Sequence, residues 1–322
     1  SILKMINAKI FIDDDIEILK QIIDEESSPS KIDKLIFYKN AGNKSEQKLS
    51  TFVEEVNNWS EVWQRINYKI VKGKSLKKIM KTEQPQLINH HAAHVDVRRS
   101  QKNPIFDANQ NIIGLLSMLQ ATENTSLKKI IFASSGGAIY GEQPIPTHER
   151  SLTTPTSPYG VSKRAGELYI QSYSRYFNIP YVSLRYGNVY GVRQNHKTNS
   201  GIIGMIIESQ IQNKSISIYG DGSQTRDYIH VEDVVRANIQ ASNTVFNGEV
   251  NIGTGIQTSI TKLIDIISKI MHQKPNVLYL PKKKEEQHDC KLSTALAYKK
   301  INWKANISIY EGIKKTIKKY DL

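Results

Sequence analysis

Residues 133–163 read ASSGGAIYGEQPIPTHERSLTTPTSPYGVSK. A serine pair in a glycine-rich neighbourhood opens the stretch, a proline-rich loop follows, and SPYGVSK closes it. Tyr159 and Lys163 stand four residues apart, which places them on one face of a helix. A lysine ammonium beside a phenol favours the phenolate, and a tyrosine so poised can act as a base near neutral pH. Tyr-x-x-x-Lys alone is a weak pattern; its surroundings give it weight.

Working outward, 129–133 is an apolar run that predicts a strand, 161–177 a helix and 181–185 a further strand. The alternation continues upstream, with strands predicted over 8–12, 35–38, 68–71 and 86–89 and helices over 16–23, 51–66, 76–81 and 109–121. Strands alternating with helices mean βαβ units and a parallel sheet covered on both faces. Beyond about residue 190 the texture changes. Helices are expected over 204–212, 230–241, 261–271 and 309–319 and short strands over 217–219 and 248–251, with a turn-rich GDGSQTRDY at 220–228. Such a mixed segment fits a smaller domain beside the sheet.

The chain has 322 residues, enough for a large core or up to two domains, with 39% apolar and 23% charged residues. No run of eighteen apolar residues is present, which argues against a membrane helix, and the N-terminal residues lack a signal-peptide layout. The single cysteine, Cys290, allows no internal disulfide and suits a reducing compartment, hence the cytoplasm. The net charge of +13 admits nucleic acid, anionic membranes or phosphorylated small molecules. The lysines are scattered rather than massed, which argues against nucleic acid. No metal-ligating constellation is expected.

Five motifs then fall in order: ASSGGAIYG, SPYGVSK, LRYGNVYG at 184–191, GDGSQTRDYIHVEDVVRA at 220–237 and NIGTG at 251–255, with HHAAHVDVRRSQKNPIFDANQNIIG at 90–114 before them. Together they resemble the extended short-chain dehydrogenase/reductases, and within them the UDP-glucose 4-epimerase-like enzymes, over roughly residues 68–320. The resemblance implies an α/β, Rossmann-like doubly wound parallel sheet over 1–185, with segments of about 220–255 returning to it, and a mainly substrate-binding domain over 186–322. It also implies a nucleotide-sugar 4-epimerase, an isomerase for UDP-glucose and UDP-galactose or their N-acetyl analogues. By the same resemblance, Tyr159 is expected to remove the 4-hydroxyl proton while a hydride passes from C4 to bound NAD, and Lys163 to hold the nicotinamide ribose and favour the phenolate. The 4-keto sugar then turns over and takes the hydride on its other face.

The related dehydratases carry an acidic residue two before the tyrosine of the YG pair. Ala138 stands there, which favours epimerisation over dehydration. The hydroxyl residue often found four before that tyrosine is Gly136, so Ser135, with Ser134 as second choice, is expected to meet the 4-hydroxyl. By the same comparison Ala92, Ala93, Asn111, Ser134, Tyr159 and Lys163 are expected at the cofactor. Asn188, Arg226, Lys283 and Cys290 are expected at the substrate: Arg226 on the diphosphate, Lys283 as a further phosphate contact, and Cys290 near the 2-substituent of the sugar. A homodimer built from helices 109–121 and 161–177 is implied as well.

One region departs from this pattern. After the first strand the family places GxxGxxG, whose bare backbone approaches the NAD pyrophosphate at a helix N-terminus. Asp14, Glu17 and Lys20 stand at those positions. Carboxylates there would repel a pyrophosphate by about 1–4 kcal/mol per close pair at intermediate dielectric. The acidic residue expected after the second strand is Lys39, and the Asp expected after the third is Lys74. The alternative expectation is therefore a binding protein that keeps the nucleotide-sugar pocket but has lost NAD.

Overall fold

The structure, a computed structural model, describes residues 10–13, 34–37, 73–192, 194, 201–282 and 287–318. The helices expected over 16–23 and 51–66, the strand over 68–71, and Asp14, Glu17, Lys20, Lys39 and Lys283 lie outside the described residues. In chain order the elements are β1 (Ile10–Asp13), β2 (Lys34–Phe37), α1 (Gly73–Glu83), β3 (Leu87–His90), α2 (Val97–Lys102), α3 (Pro104–Ala108), a π-helical turn (Asn109–Ile113), α4 (Gly114–Ala121), β4 (Lys129–Ser135), α5 (Pro158–Phe177), β5 (Tyr181–Tyr186) and β6 (Asn188–Tyr190). They continue with α6 (Ile202–Ile211), β7 (Ser215–Tyr219), β8 (Thr225–His230), α7 (Val231–Asn243), β9 (Gly248–Ile252), β10 (Gln257–Ser259), α8 (Ile260–Met271), β11 (Asn276–Leu280), α9 (Ala295–Ile301) and α10 (Ile309–Lys318).

Six strands form one sheet in the order β2-β1-β3-β4-β5-β9. β1 pairs in parallel with β2 and β3, and β3 with β4, so that Ile12 faces His90 and His90 faces Phe132 in register. The chain runs outward from β1 to β2 and returns at β3 on the other side of β1. That reversal is a topological switch point, where open α/β sheets bind ligands beyond the carboxyl ends of their strands. β4 is buried at its first six positions, which is why it reads as a continuous apolar run rather than an alternating one.

Two compact units follow from the packing: residues 1–134, 157–184 and 238–249, and residues 135–156, 185–237 and 250–322. The first has a core of Leu76, Met80, Ile88, Leu115, Ile130, Phe132 and Ile170. Gly166 lets α5 lie close, since a Cβ there would meet the Phe132 ring at 2.8 Å. The second unit packs Ile203, Ile207, Ile218, Leu263, Ile267 and Ile313, drawn from α6, β7, α8 and α10. It also holds the three-stranded sheet β10-β8-β6 and the parallel pair β11-β7. No helix among the described residues is long and apolar enough to cross a membrane.

The helix expected over 109–121 is not one α-helix. Pro104 starts α3, and the π-helical turn carries the chain into α4. Asn111 lies in that turn, a type of interruption common at functional sites.

Candidate functional site

In the first unit, α5 begins where Ser157 caps the Gly160 N–H at 3.1 Å and Pro158 occupies the first turn. Tyr159 therefore sits in the first turn, its backbone N–H donating to Ser100 Oγ at 3.2 Å. Lys163, one turn on, is 4% exposed. Its ammonium donates to the Ala133 carbonyl at 2.7 Å and lies 5.0 Å from the Phe132 ring centre and 5.9 Å from that of Tyr159. Tyr159 and Lys163 thus share one helix face, with Lys163 anchored to the end of β4.

Asn111 is committed to the loop after β3. Its Oδ1 accepts from the His94 N–H at 2.8 Å, and its amide donates to the His94 carbonyl at 2.9 Å and to Asp107 Oδ1 at 3.0 Å. Asp107 is fully buried and also accepts from Ser162 Oγ at 2.6 Å. This carboxylate, which the sequence reading did not single out, ties the residue beside Lys163 to the loop carrying Ala92 and Ala93. Both alanines are half-buried. Ser134 is 3% exposed, and its hydroxyl donates to Glu167 Oε1 at 2.6 Å.

His90 ends β3 and His91 follows it. Burial, with a smaller push from the Lys163 ammonium, lowers His90 to about 3 and His91 to about 4. Between their ordinary 6.5 and about 4 the unfolded chain takes up protons that the folded chain refuses, so stability falls as pH drops through that window. The expected loss, read from urea unfolding, is about 1–3 kcal/mol per pH unit. A His90→Gln/His91→Gln variant should show a flatter dependence; an unchanged slope contradicts the assignment.

In the second unit, Ser135 ends β4 half-buried, and its carbonyl accepts from the Ile139 N–H at 3.3 Å. A Cβ at Gly136 would lie 2.7 Å from a Leu292 methyl and 3.1 Å from the Arg185 carbonyl. A side chain there would displace Leu292 and press on the Arg185 carbonyl, which favours glycine over the hydroxyl residue expected at that position. Asn188 is exposed, and its Oδ1 lies 3.3 Å from where a Gly137 Cβ would stand.

The motifs at 220–237 and 251–255 meet through Asp227. Its fully buried carboxylate accepts from the Thr254 N–H at 2.7 Å, Thr254 Oγ1 at 2.6 Å, the Gly255 N–H at 2.9 Å and the Leu292 N–H at 3.2 Å. A Cβ at Gly253 would lie 2.6 Å from Asp227 Oδ2, so NIGTG needs glycine for close approach. Arg226 donates to the Thr225 carbonyl at 2.7 Å and to the His288 carbonyl at 3.2 Å. His288 belongs to the wall of a cleft of about 290 Å³ that Tyr219, Asp221, Gln224, Lys282 and Gln287 also line. Lys282, in that wall, directly precedes Lys283 in the chain. Cys290 is 2% exposed, and burial, the largest effect, pushes its thiol up to about 11. It is an inert thiol at neutral pH.

A doubly wound sheet, a buried lysine one turn from a tyrosine on the helix after β4, and a unit bearing a cleft suit a dehydrogenase-type nucleotide-binding protein. The chain belongs to the NAD dependent epimerase/dehydratase family, which residues 31–253 match. It is 39% identical over 248 residues to a putative UDP-glucose 4-epimerase of Methanocaldococcus jannaschii, covering 77% of this chain and 81% of that one. The UDP-glucose 4-epimerase of Thermotoga maritima, solved with UDP-glucose, superposes with a TM-score of 0.80 at 30% identity over 97% of this chain and 98% of that chain. The UDP-glucose 4-epimerase of Thermus thermophilus, solved with NAD, gives 0.73 at 30% identity over 78% and 82%.

Proposed function

We propose that the protein is an NAD-dependent UDP-sugar 4-epimerase that interconverts UDP-glucose and UDP-galactose or their N-acetyl analogues. The anchored Tyr159–Lys163 face carries this reading, and the relatives favour it over an NAD-free binding protein. Lys163, buried and fixed to the Ala133 carbonyl 5.9 Å from the Tyr159 ring centre, fits the nicotinamide half of NAD. Ala92 and Ala93, on the loop that Asn111 staples, fit the same half. Of the positions expected to meet the adenosine half, Asp14, Glu17, Lys20 and Lys39 lie outside the described residues, and Lys74 falls within α1.

Bound NAD supplies the acceptor and donor of the C4 hydride. Tyr159 removes the 4-hydroxyl proton at its Oη and returns it when the sugar is reduced on its other face. Lys163 holds the nicotinamide ribose and favours the phenolate. Ser135 hydrogen-bonds the 4-hydroxyl, Arg226 and Lys283 hold the diphosphate, and Asn188 holds the nucleotide sugar. Cys290 is small enough to leave room for an N-acetyl group. Asp14, Glu17 and Lys20 weaken NAD binding, so added NAD raises activity. The lone cysteine supports work in the reducing cytoplasm. The reading is tested by incubating the protein and NAD with UDP-glucose, and separately with UDP-N-acetylglucosamine, and following the products by proton NMR. The 4-epimer is expected from at least one; none from either contradicts the proposal.

We also propose a homodimer through the segment 109–121, which spans the π-helical turn and α4, and α5. Ile113 is 50% exposed and Val161 and Leu168 are 50% and 49% exposed. Val161 and Leu168 lie seven residues apart on α5, and Tyr169 beside them is exposed as well. Leu168→Glu should convert a dimer to a monomer in light scattering at micromolar concentration. A wild-type monomer, or a variant still dimeric, contradicts this.

A further inference from the structure

We infer that Glu167 is a positioning residue for the epimerase reaction: it captures the Ser134 hydroxyl, so that of two adjacent serines only Ser135 can donate to the sugar. The inference rests on the function proposed above. Glu167 is fully buried. Its Oε1 accepts from Ser134 Oγ at 2.6 Å, and its Oε2 from Arg164 at 2.9 Å, a side chain that is 29% exposed. Burying a carboxylate costs several kcal/mol even when it is paired, and an apolar side chain of similar volume would serve the core at least as well. A carboxylate kept here therefore points to a task beyond packing.

That task is visible in what it grips. Tyr159, Lys163 and Glu167 form one row on α5, each four residues from the next. Lys163 holds the carbonyl of Ala133, and Glu167 holds the hydroxyl of Ser134. Two consecutive residues at the end of β4 are thus clamped by two successive turns of the helix that carries the base. A serine hydroxyl has one proton to donate. Ser134 gives it to a carboxylate, in the short charge-assisted geometry that makes such bonds strong. Ser135, the last residue of the strand, is half-buried, and its hydroxyl has no partner among the described residues. The clamp sets where that hydroxyl stands, and a misplacement of about 1 Å can cost on the order of a hundredfold in rate.

The test compares kcat and KM for UDP-sugar interconversion in Ser134→Ala, Ser135→Ala, Glu167→Gln, Glu167→Leu and the double variant Ser134→Ala/Glu167→Leu, with thermal melting as a check on folding. Ser135→Ala should lower kcat by about 10²–10³-fold, the loss typical of removing a donor from the reacting oxygen. Ser134→Ala should lower it by only about three- to tenfold, and Glu167→Leu by about thirtyfold with KM within about twofold. Glu167→Gln still offers Ser134 an acceptor and should recover kcat to within about threefold of wild type. The double variant should be no slower than Glu167→Leu, because both changes break the same bond. The inference is overturned if Ser134→Ala falls as far as Ser135→Ala, if glutamine is as poor as leucine, or if the double variant's losses multiply. Should Glu167→Leu not fold, the serine pair and Glu167→Gln decide the matter by the same criteria. A wild-type protein without activity overturns the function and this inference together; an active wild type with any of the contrary patterns overturns the inference alone.

Discussion

Replacing Tyr159 by phenylalanine is expected to lower kcat for UDP-sugar interconversion by about 10²–10⁴-fold, the range a positioned base supplies. The change removes one oxygen and leaves two anchors of the helix in place. The backbone N–H of residue 159 still meets Ser100 Oγ, and Lys163 still holds the Ala133 carbonyl. The melting temperature and the affinity for UDP-sugar should stay near wild type, so the loss falls on kcat with KM little changed. A Tyr159→Phe variant that keeps most of its activity removes Tyr159 as the base. One that loses activity together with its fold assigns the residue to structure instead.

Asp227→Ala should have the largest effect on stability, about 3–5 kcal/mol, because it strips partners from a buried site. Three backbone N–H groups, of Thr254, Gly255 and Leu292, and the Thr254 hydroxyl all donate to this one carboxylate. Alanine leaves the Leu292 N–H buried without its acceptor and the Thr254 and Gly255 donors half-buried, and water could replace only part of what is lost. Domains are stable by about 5–15 kcal/mol, so the variant should unfold early in urea or fail to accumulate. Asp227→Asn keeps one acceptor oxygen but turns an amide N–H₂ against N–H donors, and should fall between alanine and wild type. Midpoints of urea unfolding check the series; an alanine variant as stable as wild type shows that the bonds to Asp227 hold nothing together.

Both residues lie in motifs that the sequence displays, but for different reasons they were not equally legible. The Tyr159–Lys163 face follows from spacing on one helix, and the apolar run before it follows from a strand buried on both faces. Asp227 could be placed in a motif, yet its partners lie 27 to 65 residues away, and nothing local names them. The same holds for Glu167, whose partner Ser134 is 33 residues distant, and for Asp107, which reaches Ser162 across 55. Each reads locally as an ordinary polar residue; only the packing of helix on sheet buries it.

Local signals also misled in two places. GDGSQTRDY reads as turn-rich because of its glycines, and Gly220 and Gly222 do adopt φ of +79° and +81°. From Thr225 onward, however, the segment is β8, buried over its last four residues. The apolar run over 109–121 carries helical spacing throughout, so periodicity alone does not show the π-helical turn that points Asn111 at the His94 loop. That turn was recoverable only from the bonds Asn111 makes. The substitutions Asp14, Glu17 and Lys20 are plain in the sequence, and their meaning is a question of affinity.

Cofactor content and turnover in one preparation test the central claim most directly. Purified protein is divided: one part is denatured and its extract assayed enzymatically for NAD(H), the other is assayed for UDP-glucose/UDP-galactose interconversion with and without added NAD. An NAD-dependent 4-epimerase with a weakened adenosine half should interconvert the two sugars when NAD is supplied, and should carry less than one NAD per chain when it is not. No NAD in the extract, no binding on titration and no interconversion at saturating NAD would contradict it.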